Sequence, residues 1–305
     1  MRDAFIRSLY QACERNPDIV LITGDLGFGV FDDFRERFPD QFMNLGVAEQ
    51  NMAGVGAGMA MAGHTVFTYS IANFPILRCL EQIRNDICYH DADVKIVSVG
   101  GGMSYGALGP SHFATEDLGI LRMLPNLTVV APGDPVEMER LMPQIVAHKG
   151  PLYLRLGRAG EARVTPEDAE VRLGTPNAFS DRGDVLLLTA GGMLEVGVAC
   201  REALEAEGVG VALASVHTLK PFDEAWLASR LANHRLVVTL EEHARSGGLG
   251  GVVAESMAGR GAPPALLRLG LESVFPDIVG SQEYLRARLG LDADGVCGRI
   301  RAALG

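Results

Sequence analysis

Short β-branched runs alternate with helical patterns from one end of the chain to the other. Runs at 19–23, 65–68, 94–99, 127–130 and 152–154 read as strands, and a second series follows at 185–189, 209–214, 236–240 and 265–269. Helical periodicity fills the intervals at 3–14, 48–62, 75–90, 116–124 and 135–147, then at 192–207, 223–232, 248–259 and 281–289. Several strands are apolar throughout, as expected when helices cover both faces of a sheet. The alternation predicts an α/β protein built from two doubly wound, mostly parallel sheets. A polar, turn-rich stretch at 159–181, with Thr165-Pro166 and Thr175-Pro176, interrupts the pattern. It predicts a linker at 161–179 between a domain at 1–160 and another at 180–305. No internal repeat is visible.

Composition narrows the class of partner. The 305 residues are 48% hydrophobic and 21% charged, and their formal charge of −11 argues against nucleic acid or an anionic membrane. The five cysteines (Cys13, Cys79, Cys88, Cys200, Cys297) are widely spaced, with no CxxC pair and no zinc-type spacing. They read as buried thiols in a reducing compartment. The opening Met-Arg-Asp-Ala-Phe-Ile-Arg lacks the apolar core of a signal peptide, and the apolar stretch at 53–62 is too short and glycine-rich to span a bilayer. A cytoplasmic protein is expected.

Ligands of open α/β sheets gather at the carboxyl ends of strands. The chemistry-bearing segments there are Gly24-Asp25-Leu26-Gly27, 70–74, 100–112 and Gly157-Arg158, all in the first half. The second half offers Ala190-Gly-Gly-Met193 and Glu241-Glu242-His243, which carry less. Neither a GxGxxG fingerprint nor a GxxxxGK[ST] loop occurs. One carboxylate stands out. Glu49 sits at the mouth of an apolar, glycine-rich helical stretch, with no basic residue nearby in sequence to pair with it. Burying a carboxylate costs several kcal/mol, and holding a proton is the cheap escape. The competing reading is a first-turn acid that faces water and complements the helix dipole.

Six motifs in one order carry a family resemblance over essentially the whole chain. They are Thr23-Gly-Asp-Leu26, Gly46-Val-Ala-Glu-Gln-Asn51, the segment ending in Glu81-Gln-Ile-Arg84, Gly109-Pro-Ser-His112, Leu121-Arg-Met-Leu-Pro-Asn126 and Gly150-Pro-Leu-Tyr-Leu-Arg-Leu-Gly-Arg158. The chain resembles the C-terminal half of transketolase-like thiamine-diphosphate enzymes. That half comprises a pyrimidine-binding domain followed by the transketolase C-terminal domain. The resemblance makes Glu49 the glutamate that hydrogen-bonds N1′ of the aminopyrimidine and favours the imino tautomer, which removes the C2 proton of the thiazolium. Phe74 matches an aromatic residue packed on the pyrimidine, and Asp25 an aspartate close to the cofactor. His112 matches the histidine facing the donor's carbonyl or hydroxyl, a group suited to moving protons near neutral pH. Arg158, with Arg2 as a second member by position, matches arginines that hold a distal phosphate; a guanidinium fork suits phosphate, sulfonate or carboxylate.

The departures concern substrate rather than cofactor. Ile71 replaces a second aromatic of the pyrimidine pocket. Leu108 replaces an aspartate that contacts a sugar hydroxyl, and Gly29 a phosphate-contacting serine. The glycine run 100–102 stands where the family has a substrate-facing histidine. Ser104 and Tyr105 are candidates for replacement contacts. A second half is also missing. Related enzymes hold Mg²⁺ and the diphosphate with Gly-Asp-Gly followed roughly 30 residues later by Asn-Asn, hard oxygen ligands that this chain lacks. The resemblance therefore implies the small subunit of a split transketolase, a transferase of carbohydrate metabolism that moves a two-carbon ketol unit from a ketose-type donor to an aldehyde. A separate diphosphate-binding subunit would hold Mg²⁺, in an α2β2 heterotetramer. A deoxyxylulose-phosphate-synthase-like enzyme, the β subunit of a 2-oxoacid dehydrogenase, and a non-catalytic scaffold or regulatory subunit remain open alternatives.

Overall fold

The computed structural model describes residues 1–27 and 29–305. The first half and one later segment form a seven-stranded sheet from β1 (Ile19–Thr23), β2 (Phe42–Asn44), β3 (Thr65–Ile71), β4 (Val94–Val99), β5 (Thr128–Val130), β6 (Leu152–Leu156) and β10 (Thr218–Lys220). Its order is β10-β5-β6-β4-β3-β1-β2. The second sheet comprises β7 (Asn177–Ser180), β8 (Val185–Thr189), β9 (Val211–Ser215), β11 (Leu236–Ala244) and β12 (Ala265–Leu271), in the order β12-β11-β8-β9-β7. Neighbours are parallel except at two edges, where β10 runs against β5 and β7 against β9.

Both faces of the first sheet are covered, which is why its strands are apolar on successive residues. On one face Phe5 and Leu9 of helix Arg2–Arg15, with Leu141 and Ile145 of helix Pro135–Ala147, pack on Leu21, Phe67 and Val97. On the other, Met52, Ala53 and Ala57 of helix Glu49–Met61 pack on Ile22, Val66 and Ile96. Each valine, leucine, isoleucine, methionine or phenylalanine among them contributes roughly 1.5–3 kcal/mol on removal from water. Helix Glu49–Met61 approaches the sheet so closely that a Cβ on Gly56 would meet Thr68 Cγ2 at 3.1 Å. Gly56 sets that distance.

Where the structure departs from the sequence reading, short length or tertiary pairing is the reason. The edge strands β2, β7 and β10 have three or four residues each, too few to show a period. β7 begins inside the stretch read as linker, and β10 carries the second half's chain back to the first sheet. The helical pattern at 75–90 is wound only from Leu80, and as a π-helical turn over Ile83–Cys88. Two further helices, Asp32–Arg37 and Ala293–Leu304, lie outside the expected set.

Helix Pro135–Ala147 also anchors the crossing between the two halves. Asp134 caps it by accepting from Glu137 N at 2.9 Å, and its second oxygen accepts from Val164 N and Thr165 N at 2.8 and 2.7 Å. Glu137 is fully buried and accepts from Gly133 N (2.7 Å), Asn177 Nδ2 (2.9 Å) and Ser215 Oγ (3.0 Å). Burial outweighs those donors and pushes the Glu137 carboxyl up to about 7. A carboxyl raised in the folded state favours folding while protonated, so this contribution is complete below the unfolded carboxyl range and is lost as pH rises through about 7. Thermal melts from acid to neutral pH should show a decline in wild type that Glu137→Gln flattens. Identical pH slopes in the two proteins would refute the assignment.

Candidate active site

The adjacent order β6-β4-β3-β1 sets four loops side by side at the carboxyl edge of the sheet. Register fixes their starting points: Ile71 pairs with Val99, and Val99 with Leu156. Ala72 N donates to Val99 O at 2.7 Å, while Gly100 N and Gly101 N both donate to Leu156 O at 2.9 Å. At the neighbouring ends of β1 and β2, Asn44 acts as a clamp. Its Oδ1 accepts from Asp25 N and Gly46 N at 2.9 and 3.0 Å, and its Nδ2 donates to Asp25 Oδ1 at 3.2 Å. Asp25 has a φ of +56°, a left-handed conformation costly for a non-glycine residue. The clamp holds that turn and leads the chain into the helix that starts at Glu49.

Glu49 is 3% exposed at the first residue of helix Glu49–Met61. Contrary to the expectation of an acid without an intrachain partner, Arg78 Nη1 donates to Glu49 Oε2 at 3.0 Å. The reason is tertiary: the turns after β3 bring Arg78, 29 residues away, over the mouth of the helix. Glu49 Oε1 makes no hydrogen bond among the described residues. Arg78 is itself 49% exposed, and its guanidinium lies 5.0 Å from the centroid of Phe74. The Phe74 ring meets His112 edge-on, with centroids 5.2 Å apart. His112 is half-buried, and its Nδ1 lies 3.0 Å from Ser111 Oγ. Glu49, Arg78, Phe74 and His112 thus form one chain of side-chain contacts, and at the end of β3 the carbonyl of half-buried Ile71 accepts from Phe74 N at 3.1 Å.

A second group forms at the ends of β4 and β6. Arg158 is exposed, its guanidinium 5.4 Å from the centroid of Tyr105. Arg2 lies near enough for its charge, with that of Arg158, to pull down a Tyr105 hydroxyl that burial pushes up. Met1 sits against the strand end before Arg158, since a Cβ on Gly157 would meet Met1 Cε at 2.8 Å. Arg2 also pairs with neighbouring Asp3 at 3.0 Å. Leu108 is exposed.

Sequence reasoning missed the residues that fasten these loops to the second half. Arg155, on β6 and 5% exposed, places Nε 3.1 Å from Asp117 Oδ2 and donates through Nη2 to Ala114 O and Glu242 O at 2.7 and 2.9 Å. Tyr153 OH donates to Asp117 Oδ2 at 2.6 Å. Glu242 accepts from Met103 N (2.5 Å), from Gln282 Nε2 and from Arg286 Nε (2.5 Å). The signal available was Arg155 inside an otherwise apolar strand, since a charge there demands a buried partner. Arg78 offered a similar hint, four residues after Phe74 in a helical pattern.

This pairing of folds is that of transketolases. Residues 1–160 match the transketolase pyrimidine-binding domain and residues 174–296 the transketolase C-terminal domain, so the chain is a member of that thiamine-diphosphate-dependent family. It is 34% identical over 304 residues to the 6-deoxy-6-sulfo-D-fructose transketolase subunit SqwH of Clostridium sp. (strain MSTE9), covering 99% of this chain and 93% of the relative. It is 32% identical to an apulose-4-phosphate transketolase subunit of Phocaeicola vulgatus, covering 97% and 95% of the two chains. A solved split-gene transketolase, described as an inactive β4 tetramer, superposes with a TM-score of 0.91 at 34% identity, over 99% of this chain and 97% of that one. No helix among the described residues is long and apolar enough to cross a membrane.

Proposed function

We propose that this chain is the small subunit of a split, thiamine-diphosphate-dependent transketolase, and that it acts only with a separate diphosphate-binding subunit, as an α2β2 assembly. The observation that carries the reading is Glu49, buried at a helix mouth beside Phe74 with one carboxylate oxygen uncommitted. Those groups fit an aminopyrimidine: an acceptor for a ring nitrogen and an apolar face for the ring. When bound, thiamine diphosphate supplies the nucleophilic carbon and electron sink needed to move a two-carbon ketol unit. Glu49 would hold or share the proton at N1′, Phe74 would orient the ring, and Asp25 would line the same end of the cleft. His112 would donate to the donor's oxygen and move its proton. Arg158 and Arg2 would bind a distal oxyanion. Mg²⁺ would be held by the partner, whose Gly-Asp-Gly and Asn-Asn carry the hard oxygen ligands missing here.

Apolar or glycine residues at Leu108, Gly29 and 100–102, in place of sugar-binding groups, support a donor or acceptor other than a standard ketose phosphate. A site without those hydrogen bonds does not select for the hydroxyls they would read. The test is reconstitution. Mixed with its large subunit, thiamine diphosphate and Mg²⁺, the chain should form a heteromer that transfers ketol units from a panel of ketoses. Each subunit alone should be inactive. Full activity of either chain by itself, or no heteromer, would sink the proposal.

A further inference from the structure

Ser104 and Tyr105 both lie close to the glycine run, and hydrogen bonding separates their roles. Ser104 Oγ donates its only proton to Gly101 O at 2.8 Å and receives Gln282 Nε2 at 3.2 Å, so it is committed to holding the loop. The Tyr105 hydroxyl makes no hydrogen bond among the described residues, and Tyr105 shares a cleft with Arg158 and Gln282. Its ring stands where another side chain would be. A Cβ on Gly100, whose φ is +91°, would lie 2.1 Å from Tyr105 Cε2 and 2.4 Å from Cδ2. Gly100 opens the run that replaces the family's substrate-facing histidine. Tyr105 fills the space beside Gly100 from five residues downstream, as Arg155 and Glu242 fill it beside Gly101 and Gly102, and glycine at 100 is the condition for the tyrosine.

We propose that Tyr105 is a donor-specificity residue whose hydroxyl hydrogen-bonds the distal phosphate or sulfonate of the ketose, beside the guanidinium groups of Arg158 and Arg2. This rests on the distal-oxyanion reading of Arg158 given above. A phenol differs from the imidazole it supplants in staying neutral and protonated across the physiological range. Burial reinforces that, raising the hydroxyl's pKa against the pull of the two arginines. The site thus supplies two fixed charges and one neutral donor, and its affinity for a strong-acid anion should not change from pH 6 to 8. The Tyr105 ring faces Arg158, whereas the Phe74 ring faces Arg78 and His112. The effect of Tyr105 should fall on binding.

The test uses the enzyme assembled with its large subunit and three donors: D-xylulose 5-phosphate, 6-deoxy-6-sulfo-D-fructose and neutral erythrulose. Tyr105→Phe should raise KM for the charged donor that the enzyme uses by about 10-fold or more, the loss expected for a hydrogen bond to an ionic group. Its kcat, and KM for erythrulose, should stay within about two-fold. Arg158→Ala should abolish the preference for charged over neutral donors. Calorimetric titration of the same donors into the assembled Tyr105→Phe and wild-type proteins prepared without thiamine diphosphate reads the comparison without turnover. Loss of preference in Arg158→Ala with none in Tyr105→Phe overturns the role of Tyr105 alone. An unchanged preference in both variants overturns the distal-oxyanion reading and this inference with it.

Discussion

Glu49→Gln is expected to lower turnover of the assembled enzyme by about 10²–10⁴-fold, the usual loss when a positioned acid–base group is removed. Glutamine keeps the shape and an acceptor oxygen but cannot share a proton with a ring nitrogen. The fold should tolerate the change, because the partner left behind, Arg78, is half-exposed and can be solvated. Glutamine also keeps an oxygen that accepts from Arg78, so no buried charge is left without a partner. The variant should therefore assemble with the large subunit and melt close to wild type. Cofactor binding, followed by quenching of intrinsic fluorescence or by calorimetry, should weaken less than turnover does. Wild-type turnover in Glu49→Gln would remove it from the chemistry. Loss of the heteromer would instead make it an interface residue.

Arg155→Met should be strongly destabilising, costing about 3–5 kcal/mol because it strands a buried carboxylate. Asp117 is 1% exposed, and Arg155 is the cation beside it. Met fills the space but leaves Asp117 charged against Tyr153 alone, and the carbonyls of Ala114 and Glu242 are deprived of their donor. Those bonds tie the loop after β4 to the second sheet, so the denaturation midpoint should fall and cleavage by protease should rise near 100–116. Asp117→Asn in the same chain should recover part of the stability by removing the stranded charge. A double variant no more stable than Arg155→Met would show that the damage lies in packing rather than in charge.

The difference between these two residues marks how far the sequence was legible. Glu49 stood out because a lone acid in an apolar, glycine-rich helix is a local anomaly, and motif order supplied its role. His112, Phe74 and Arg158 were singled out the same way, by motif order beside turn residues in the loops that follow strands. Arg78, Arg155 and Glu242 were not, because their meaning lies in partners 29 to 139 residues away. The glycines at 100–102 read as the loss of a histidine, whereas in the fold they admit three distant side chains, Tyr105 at Gly100, Arg155 at Gly101 and Glu242 at Gly102.

The central strands, the α/β alternation, the glycine-rich helix and the acid at its mouth were determined by the sequence itself, since periodicity and burial cost act over a few residues. Tertiary structure alone decided which strand ends became neighbours. It also returned β10 to the first sheet and gave Glu49 a partner in Arg78. Those outcomes depend on register between distant strands, where one hydrogen-bonded pair fixes the next and no local pattern records the choice.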